Sequence, residues 1–324
     1  MGDAGVKGIG FGTWSWGNKL LWGYSSEQHD QSLQSTFEHA VRAGLRLIDT
    51  ADSYGTGKIN GRGELLLGRF VEALPIQQRQ GLIIATKLAP YPWRLGRKGF
   101  DRAFQASQQR LQGHLQRVQL HWSTARYAPW QEGPLLDGLA ELAAETNGLE
   151  VGVSNVGPQR LLWMHARLAE RGVKLISLQV QLSLLAPHPL MEKQVLSVCK
   201  EMGIELLAYS PLALGVLTIP PGKLPQKATL LRNGLFRRLL PESLCLRQGL
   251  SDIARHREVT QAQVALNWCR AHGTTPIAGL RTPEQAHDAA AALSWMLDSE
   301  EKQRLDKLSK NCAVRMPVNP FQSQ

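Results

Sequence analysis

The chain has 324 residues, 43% of them apolar, which is enough for a sizeable core in one or two domains. Its four cysteines are widely spaced, without a CxxC pair or a Cys/His cluster, which argues against a disulfide framework or a zinc site. The net charge is +10, but the basic residues are mostly dispersed and no nucleic-acid-binding motif accompanies them. We therefore do not expect a nucleic-acid partner.

The N-terminal residues MGDAGVKGIGFGTW contain neither an apolar signal-peptide core nor an Arg/Ser-rich amphipathic run. No apolar stretch reaches the roughly 18 residues that a membrane-spanning helix needs. We expect a cytoplasmic protein, either bacterial or the mature form of a targeted one, that works without a membrane as a monomer or weak oligomer.

Short apolar runs alternate with amphipathic helical patterns along the chain. The runs that predict strands are residues 8–14, 45–51, 82–88, 118–122, 149–155, 176–181, 204–210 and 274–279. Apolar residues at helical spacing predict helices at 134–145, 159–170, 260–271 and 282–293. Thr282 is the expected N-cap of the last of these, with Pro283 in its first turn.

Strands this apolar must be covered on both faces, so eight strand–helix units predict an α/β fold, a (β/α)8 TIM barrel forming a single domain over 1–324. An open doubly wound sheet is the competing fold. It would be favoured by a GxGxxG turn after the first strand, but GIGFGTW continues into WSWGNKLLWGY instead.

Two further segments stand apart from the strand–helix pattern. Residues 213–249 are Pro/Gly-rich in part and are predicted as an irregular loop inserted after the seventh strand. Basic residues but no acidic ones occur between Glu205 and Glu242, so a solvated loop and a loop covering a polyanionic cofactor both remain open. Residues 310–324 are predicted to form a C-terminal tail.

Four chemically active side chains fall near the ends of successive strands. Asp49, Lys87 and His121 end the second, third and fourth strands, and Tyr54 lies in the loop after the second. The active site of a (β/α)8 barrel lies at this end of the strands. Each residue alone could be structural, but their shared placement favours a catalytic site. With a single carboxylate among the strand-end residues, a metal-assisted mechanism is not expected.

These four groups suit the reduction of a carbonyl. The ammonium of Lys87 is expected to lower the pKa of the Tyr54 phenol, which would then protonate the developing alkoxide. Asp49 would hold the Lys87 charge, and His121 would orient the carbonyl. The hydride must come from a cofactor, because no side chain can supply it.

The same strand ends offer a site for that cofactor. Ser154, Asn155 and Gln179 are neutral hydrogen-bonding groups suited to a carboxamide, and Tyr209 offers a ring for stacking. Gly279 and Arg281 precede a helix N-terminus, which predicts a phosphate site. Arg281 suits a 2′-phosphate and favours NADPH over NADH, unless it is simply a surface arginine.

Tryptophans cluster in the same regions. Six of the nine lie at strand ends or in the loops that follow: Trp14, Trp16, Trp22, Trp93, Trp122 and Trp130. Core packing would explain any one of them, whereas the group predicts an aromatic-walled pocket for a flat or apolar carbonyl compound. The substrate-pocket residues expected from it are Trp14, Trp22, Trp93 and Trp122.

The motifs DTADSYG (49–55), ATK (85–87), LHW (120–122), GVSN (152–155), AYSPL (208–212) and PIAGLRTPEQ (276–285) resemble those of the aldo-keto reductase family over nearly the whole chain. The resemblance implies an NADP-dependent oxidoreductase with a catalytic tetrad of Asp49, Tyr54, Lys87 and His121. It implies nicotinamide contacts from Ser154, Asn155, Gln179 and Tyr209. It implies phosphate contacts from Ser210, Leu212, Arg281 and Gln285.

Segments 12–24, 49–68, 91–96, 120–132 and 180–185 go beyond the general family signature and resemble members that reduce pyridoxal to pyridoxine in vitamin B6 metabolism. A broad-specificity aldehyde or sugar-carbonyl reductase, and a non-catalytic NADPH-binding redox sensor, remain alternatives. Two positions depart from the family. Ala289 follows Asp288 where an adenine-contacting Asn is usual, and Thr218-Ile219-Pro220 replaces Thr-Gly-Lys.

Overall fold

The computed structural model describes residues 8–191, 194–225 and 228–323, and residues 1–7, 192–193, 226–227 and 324 lie outside the described part. Parallel strands pair in sequence order, β1 with β2 and so on to β8, which pairs back with β1 and closes a barrel. The strands are β1 (Gly10–Gly12), β2 (Leu47–Asp49), β3 (Ile83–Leu88), β4 (Arg117–Leu120), β5 (Glu150–Ser154), β6 (Leu175–Gln181), β7 (Glu205–Tyr209) and β8 (Thr275–Gly279). The predicted single-domain (β/α)8 barrel is confirmed, and the open sheet is excluded.

Helices surround the barrel. They are α1 (Lys19–Trp22), α2 (Ser26–Arg42), α3 (Arg62–Ala73), α4 (Ile76–Arg79), α5 (Asp101–Arg110), α6 (Pro129–Glu145), α7 (Pro158–Ala169), α8 (Val195–Met202), α9 (Leu230–Glu242), α10 (Leu244–His256), α11 (Gln261–Ala271), α12 (Pro283–Ala291) and α13 (Ser299–Asn311). Helix α12 begins as predicted, because the Thr282 side chain accepts a hydrogen bond from the Gln285 amide and Pro283 occupies the first turn.

The barrel interior changes from apolar to polar along the strands. Leu47, Ala85, Leu207 and Ile277 pack together inside the barrel and are at most 8% exposed. Farther toward the C-terminal ends come polar groups that are almost completely buried: Asp49, Lys87, Gln119 and Gln179. Since buried polar groups require partners, the fold fixes these side chains through bonds to one another.

Residues 213–249 form an irregular loop only in part, at 219–225 and 228–229 among the described residues. They follow β7, but after a 3₁₀ segment at Ala213–Thr218 they form helix α9 and the start of α10. Phe236, Leu239 and Leu240 of α9 are buried, and this packing stabilises the helix although its sequence shows no clear helical pattern. Pro241 lies in the last turn of α9, where it limits the helix without breaking its centre.

After α13 the chain returns to the C-terminal end of the barrel. The Met316 amide donates to the Leu185 carbonyl at 2.9 Å, and the Ser323 amide donates to the Asn155 carbonyl at 3.0 Å. The predicted tail therefore packs against β5 and the loop after β6. None of the helices within the described ranges is long and apolar enough to cross a bilayer.

Candidate active site

A cavity of about 930 Å³ lies at the C-terminal ends of the strands. Its volume is in the range of small-molecule sites. All the residues expected to be catalytic or to contact the cofactor line it: Asp49, Tyr54, Lys87, His121, Ser154, Asn155, Gln179, Tyr209, Ser210, Leu212, Gly279, Arg281 and Gln285. The structure thus brings both predicted sets into one site.

Lys87 is the centre of the four expected catalytic residues. Its Nζ donates to Asp49 Oδ2 at 2.5 Å, to the Tyr54 hydroxyl at 3.0 Å and to the Thr50 carbonyl at 2.9 Å. Three acceptors match the three protons of an ammonium, so the group is fully satisfied although only 1% of the residue is exposed. The Tyr54 and His121 rings meet edge to face, with centroids 5.9 Å apart.

Electrostatics keep Tyr54 protonated. Burial raises the pKa of the phenol above its usual value near 10, and the opposing effect of Lys87 does not cancel this. The expected lowering of the Tyr54 pKa is therefore wrong for this structure, because desolvation of the phenolate outweighs the neighbouring ammonium. Burial opposes the charge on Lys87, but Asp49 and Tyr54 raise its pKa overall, so the ammonium is retained.

His121 is neutral near pH 7. Burial is the main cause that lowers its pKa well below 6.5, and the charges of Lys87 and Arg94 add to this. Its Nδ1 lies 3.3 Å from the Ser53 hydroxyl. A neutral imidazole can donate one hydrogen bond while its other nitrogen accepts, which suits it to orient a carbonyl oxygen.

Asp49 also connects the catalytic group to the expected nicotinamide contacts. Its Oδ1 accepts from Gln179 Nε2 at 2.8 Å and from Gln119 Nε2 at 3.3 Å. Because a carboxylate only accepts, it fixes which end of the Gln179 amide is the nitrogen. The Gln179 oxygen is thereby left as an acceptor for another group.

Asn155 is the most heavily bonded of the expected nicotinamide contacts. Its backbone is left-handed, with φ of 59°, a conformation that Asn tolerates better than most residues. Its Nδ2 donates to the His121 carbonyl at 3.0 Å and to Ser154 Oγ at 3.1 Å. Its Oδ1 accepts from the Tyr209 hydroxyl at 2.9 Å and from Asn319 Nδ2 at 3.1 Å.

Two arginines lie at another part of the cavity. The guanidinium carbons of Arg232 and Arg281 lie 4.3 Å and 5.5 Å from the centroid of the Trp22 ring. Neither forms a salt bridge to an acidic residue within the described ranges. Burial lowers the pKa of both, and the charge of Arg281 lowers that of Arg232 further. The arrangement concentrates positive charge that an anion could neutralise.

Aromatic side chains form part of the cavity wall. Trp14, Trp22 and Trp122 line it, as expected, and Phe321 of the tail stacks on Trp122 with ring centroids 4.4 Å apart. The expectation that Trp93 lines the substrate pocket is wrong: Trp93 is 72% exposed and is not among the residues that line the cavity. It stacks instead on Tyr91, at 4.7 Å, and Tyr91 does line the cavity.

Trp16 and Trp130 also depart from the expected aromatic rim. Trp16 is completely buried, and its Nε1 donates to the Leu280 carbonyl at 2.9 Å, so it belongs to the core. Trp130 is 70% exposed and does not line the cavity. A tryptophan in a loop that follows a strand therefore does not necessarily line the pocket.

Sequence reasoning missed several lining residues: Ser53, Tyr91, Arg232, Asn319 and Phe321. Arg232 is one of several basic residues in 213–249, and nothing in the sequence sets it apart from them, because the helix α9 that carries it was not predicted. The tail carries no periodic signal, so nothing in its sequence indicated Asn319 or Phe321.

The two departures from the family pattern also lie at the cavity. Ala289 and Asp288 line it, and both Asp288 oxygens accept from Thr260 Oγ1 at 2.9 Å. Thr218 lines it too, with its hydroxyl donating to the Gly215 carbonyl at 2.9 Å.

Within the described ranges, no group of three or more His, Cys, Asp or Glu residues could hold a metal ion.

Comparison with known proteins agrees with this geometry. The sequence profile described as the aldo/keto reductase family matches residues 8–310. The chain is 46% identical to chloroplastic pyridoxal reductase of Arabidopsis thaliana over 329 aligned positions, covering 100% of this chain and 89% of that protein. It is 28% identical to the methylglyoxal reductase YeaE of Escherichia coli, covering 94% of this chain and 92% of the other.

A solved aldo/keto reductase from Klebsiella pneumoniae, in complex with NADP and acetate, superimposes with a TM-score of 0.72 at 25% identity, covering 98% of this chain and 96% of that one. The profile match, the identity to the plant enzyme and the barrel agree. The chain belongs to the aldo/keto reductase family.

Proposed function

We propose that this oxidoreductase uses NADPH to reduce pyridoxal to pyridoxine, with Tyr54 as the proton donor. The observation that carries the proposal is the Lys87 ammonium, bonded to both Asp49 and the Tyr54 hydroxyl beside His121 in one cavity. The full-length similarity to a plant pyridoxal reductase supports the substrate.

The cavity fits NADPH in three respects. Arg232 and Arg281 offer positive charge without an acidic partner in the described part of the chain, and the Arg232 Nε is buried without a hydrogen-bond partner. Arg281 and the N-cap residue Thr282 come just before α12, whose N-terminus suits a phosphate. Gln179 has a free acceptor that suits a carboxamide. Aldo-keto reductases from Klebsiella pneumoniae crystallised with NADP and with NADPH give the same assignment by analogy.

When bound, NADPH supplies the hydride. Tyr54 gives its proton to the carbonyl oxygen as negative charge develops there, and neutral His121 orients that oxygen by a hydrogen bond. Lys87 lies 3.0 Å from the Tyr54 oxygen and stabilises the phenolate that forms, while Asp49 keeps Lys87 charged and in place. The raised pKa ensures that the proton is present before the reaction.

The aromatic wall supports a flat substrate. Trp122 and its stacked partner Phe321 lie beside His121, whose ring centroid is 4.8 Å from that of Trp122. A pyridine ring can pack against such a surface through stacking or edge contacts. A sugar would gain less from it, so the aromatic aldehyde is favoured over the sugar-carbonyl alternative.

The proposal is tested by incubating the purified protein with NADPH and pyridoxal and identifying the products by mass spectrometry. We expect pyridoxine and NADP⁺ in equal amounts. Binding of NADPH without turnover of any aldehyde would instead support the redox-sensing alternative, which keeps the cofactor site but not the catalytic role.

A further inference from the structure

Asn319, in the C-terminal segment, forms a closed set of hydrogen bonds with two expected nicotinamide contacts. Its Nδ2 donates to Asn155 Oδ1 at 3.1 Å and to the Tyr209 hydroxyl at 2.8 Å. The Tyr209 hydroxyl donates in turn to Asn155 Oδ1 at 2.9 Å. The three side chains therefore satisfy one another.

The orientation of the Asn155 amide follows from its partners. The His121 carbonyl can only accept, so the Asn155 atom 3.0 Å from it must be the nitrogen. The second proton of that nitrogen goes to Ser154 Oγ at 3.1 Å. Both lone pairs of Oδ1 are taken by Tyr209 and Asn319. An amide has two donors and two acceptor positions, and all four are in use.

Asn155 thus has no hydrogen-bonding capacity left for a ligand while Asn319 is in place. We propose that Asn319 and the nicotinamide carboxamide compete for Asn155, so that cofactor binding requires the segment 316–323 to release this residue. The inference rests on the proposed function, because it takes Asn155 as a carboxamide contact.

Other contacts make the segment a single strap across the cavity. The Ser323 amide donates to the Asn155 carbonyl at 3.0 Å, and Arg126 Nη1 donates to the Pro320 carbonyl at 3.2 Å. Phe321 stacks on Trp122. Release of Asn319 breaks the contacts with Asn155 and Tyr209 at the centre of this strap. The contacts on either side remain and allow Asn319 to rebind when the cofactor leaves. Asn319 is accordingly a positioning residue, which acts on the cofactor through Asn155.

The Asn319→Ala variant tests this, with Gln322→Ala as the matched control, because among the described residues the Gln322 side chain bonds only within the strap, to the Ser323 carbonyl. Binding of two probes is compared by protein fluorescence: NADPH, and 2′-phospho-ADP-ribose, which lacks nicotinamide. We expect Asn319→Ala to tighten NADPH about fivefold, the equivalent of one lost competing hydrogen bond, and to leave 2′-phospho-ADP-ribose unchanged. Gln322→Ala should alter neither.

Hydrogen exchange of the wild-type protein gives a second measurement. NADPH should increase exchange of the Phe321 amide, which donates to Asn319 Oδ1 at 2.9 Å, whereas 2′-phospho-ADP-ribose should not. Weaker NADPH binding in Asn319→Ala would show that Asn319 supports Asn155 instead of competing for it, and would overturn the inference. Equal NADPH affinity in all three proteins would overturn it as well. Failure of the wild type to bind either probe would overturn the proposed function itself.

Discussion

The guanidinium groups of Arg232 and Arg281 approach the same Trp22 ring, at 4.3 Å and 5.5 Å, although the residues lie on α9 and just before α12. Burial is the main cause that lowers the pKa of Arg232, and the nearby charge of Arg281 lowers it further. A bound phosphate would relieve this repulsion.

The arginines should therefore differ in their effect on cofactor choice. Arg281→Ala is expected to weaken NADPH at least tenfold and NADH much less, because a charge-assisted bond to the 2′-phosphate is lost. Arg232→Ala should weaken both cofactors alike, if its charge serves the pyrophosphate that they share. Arg237→Ala, an exposed arginine on the same helix, is the control. Equal weakening of both cofactors by Arg281→Ala would contradict the 2′-phosphate assignment.

Removal of the Tyr54 hydroxyl should separate catalysis from binding. In Tyr54→Phe we expect kcat for aldehyde reduction to fall by about 10²–10⁴-fold, since the general acid is lost. The dissociation constant of NADPH should change little, because the expected cofactor contacts lie on other residues. Steady-state kinetics and fluorescence titration check the two parts. Unchanged NADPH oxidation would mean that another group donates the proton.

The pH dependence of reduction follows from the direction of two pKa shifts. Reduction requires a protonated Tyr54, and its pKa lies above 10, so activity should be lost only as the pH rises toward and beyond that value. Because the pKa of His121 lies well below 6.5, its imidazole stays neutral on both sides of pH 6.5, and no change in kcat is expected there. A profile of kcat between pH 5.5 and about 10 tests both. A fall in kcat centred between pH 7 and 8 would show that the phenol pKa is lowered after all.

Asp52 gives a prediction about stability. Burial raises the pKa of its carboxyl from 3.8 to about 6, although Arg94 opposes the shift. The folded protein therefore binds more protons than the unfolded chain between these values. Stability from Asp52 is fully present below about pH 4 and is lost as the pH rises through about 6, a change of the order of 2–3 kcal/mol. The unfolding free energy of the wild type, measured relative to that of Asp52→Asn, should therefore decrease by this amount as the pH rises from 4 to 7. A difference independent of pH would contradict it.

The fold and the centre of the site could be predicted from the sequence because local patterns carry them. The strands are largely apolar runs, several of which end in a polar residue such as Asp49, Ser154 or Gln181, and closure of the barrel brings the strand ends together independently of the loops. The helices in 213–249 were missed because Gly, Pro and basic residues mask a pattern that becomes clear only when Phe236 and Leu239 are seen to be buried. The pKa of Tyr54 depends on burial, which no pairwise reasoning about Lys87 supplies.

The role of the tail lay beyond prediction for another reason. Asn319 contacts Asn155 and Tyr209, which are 164 and 110 residues away in sequence. Only the closed barrel and the returning chain bring them together. No local preference of residues 316–323 indicates which side chain enters the cavity.

The central claim, that the cavity reduces pyridoxal with NADPH, is tested most directly by comparing kcat/KM for pyridoxal, benzaldehyde and a hexose under identical conditions, with Tyr54→Phe as the inactive control. We predict that pyridoxal is preferred over both by about tenfold or more and that Tyr54→Phe turns over none of them at a comparable rate. A preference for the hexose, or no turnover of pyridoxal by a protein that binds NADPH, would contradict the account.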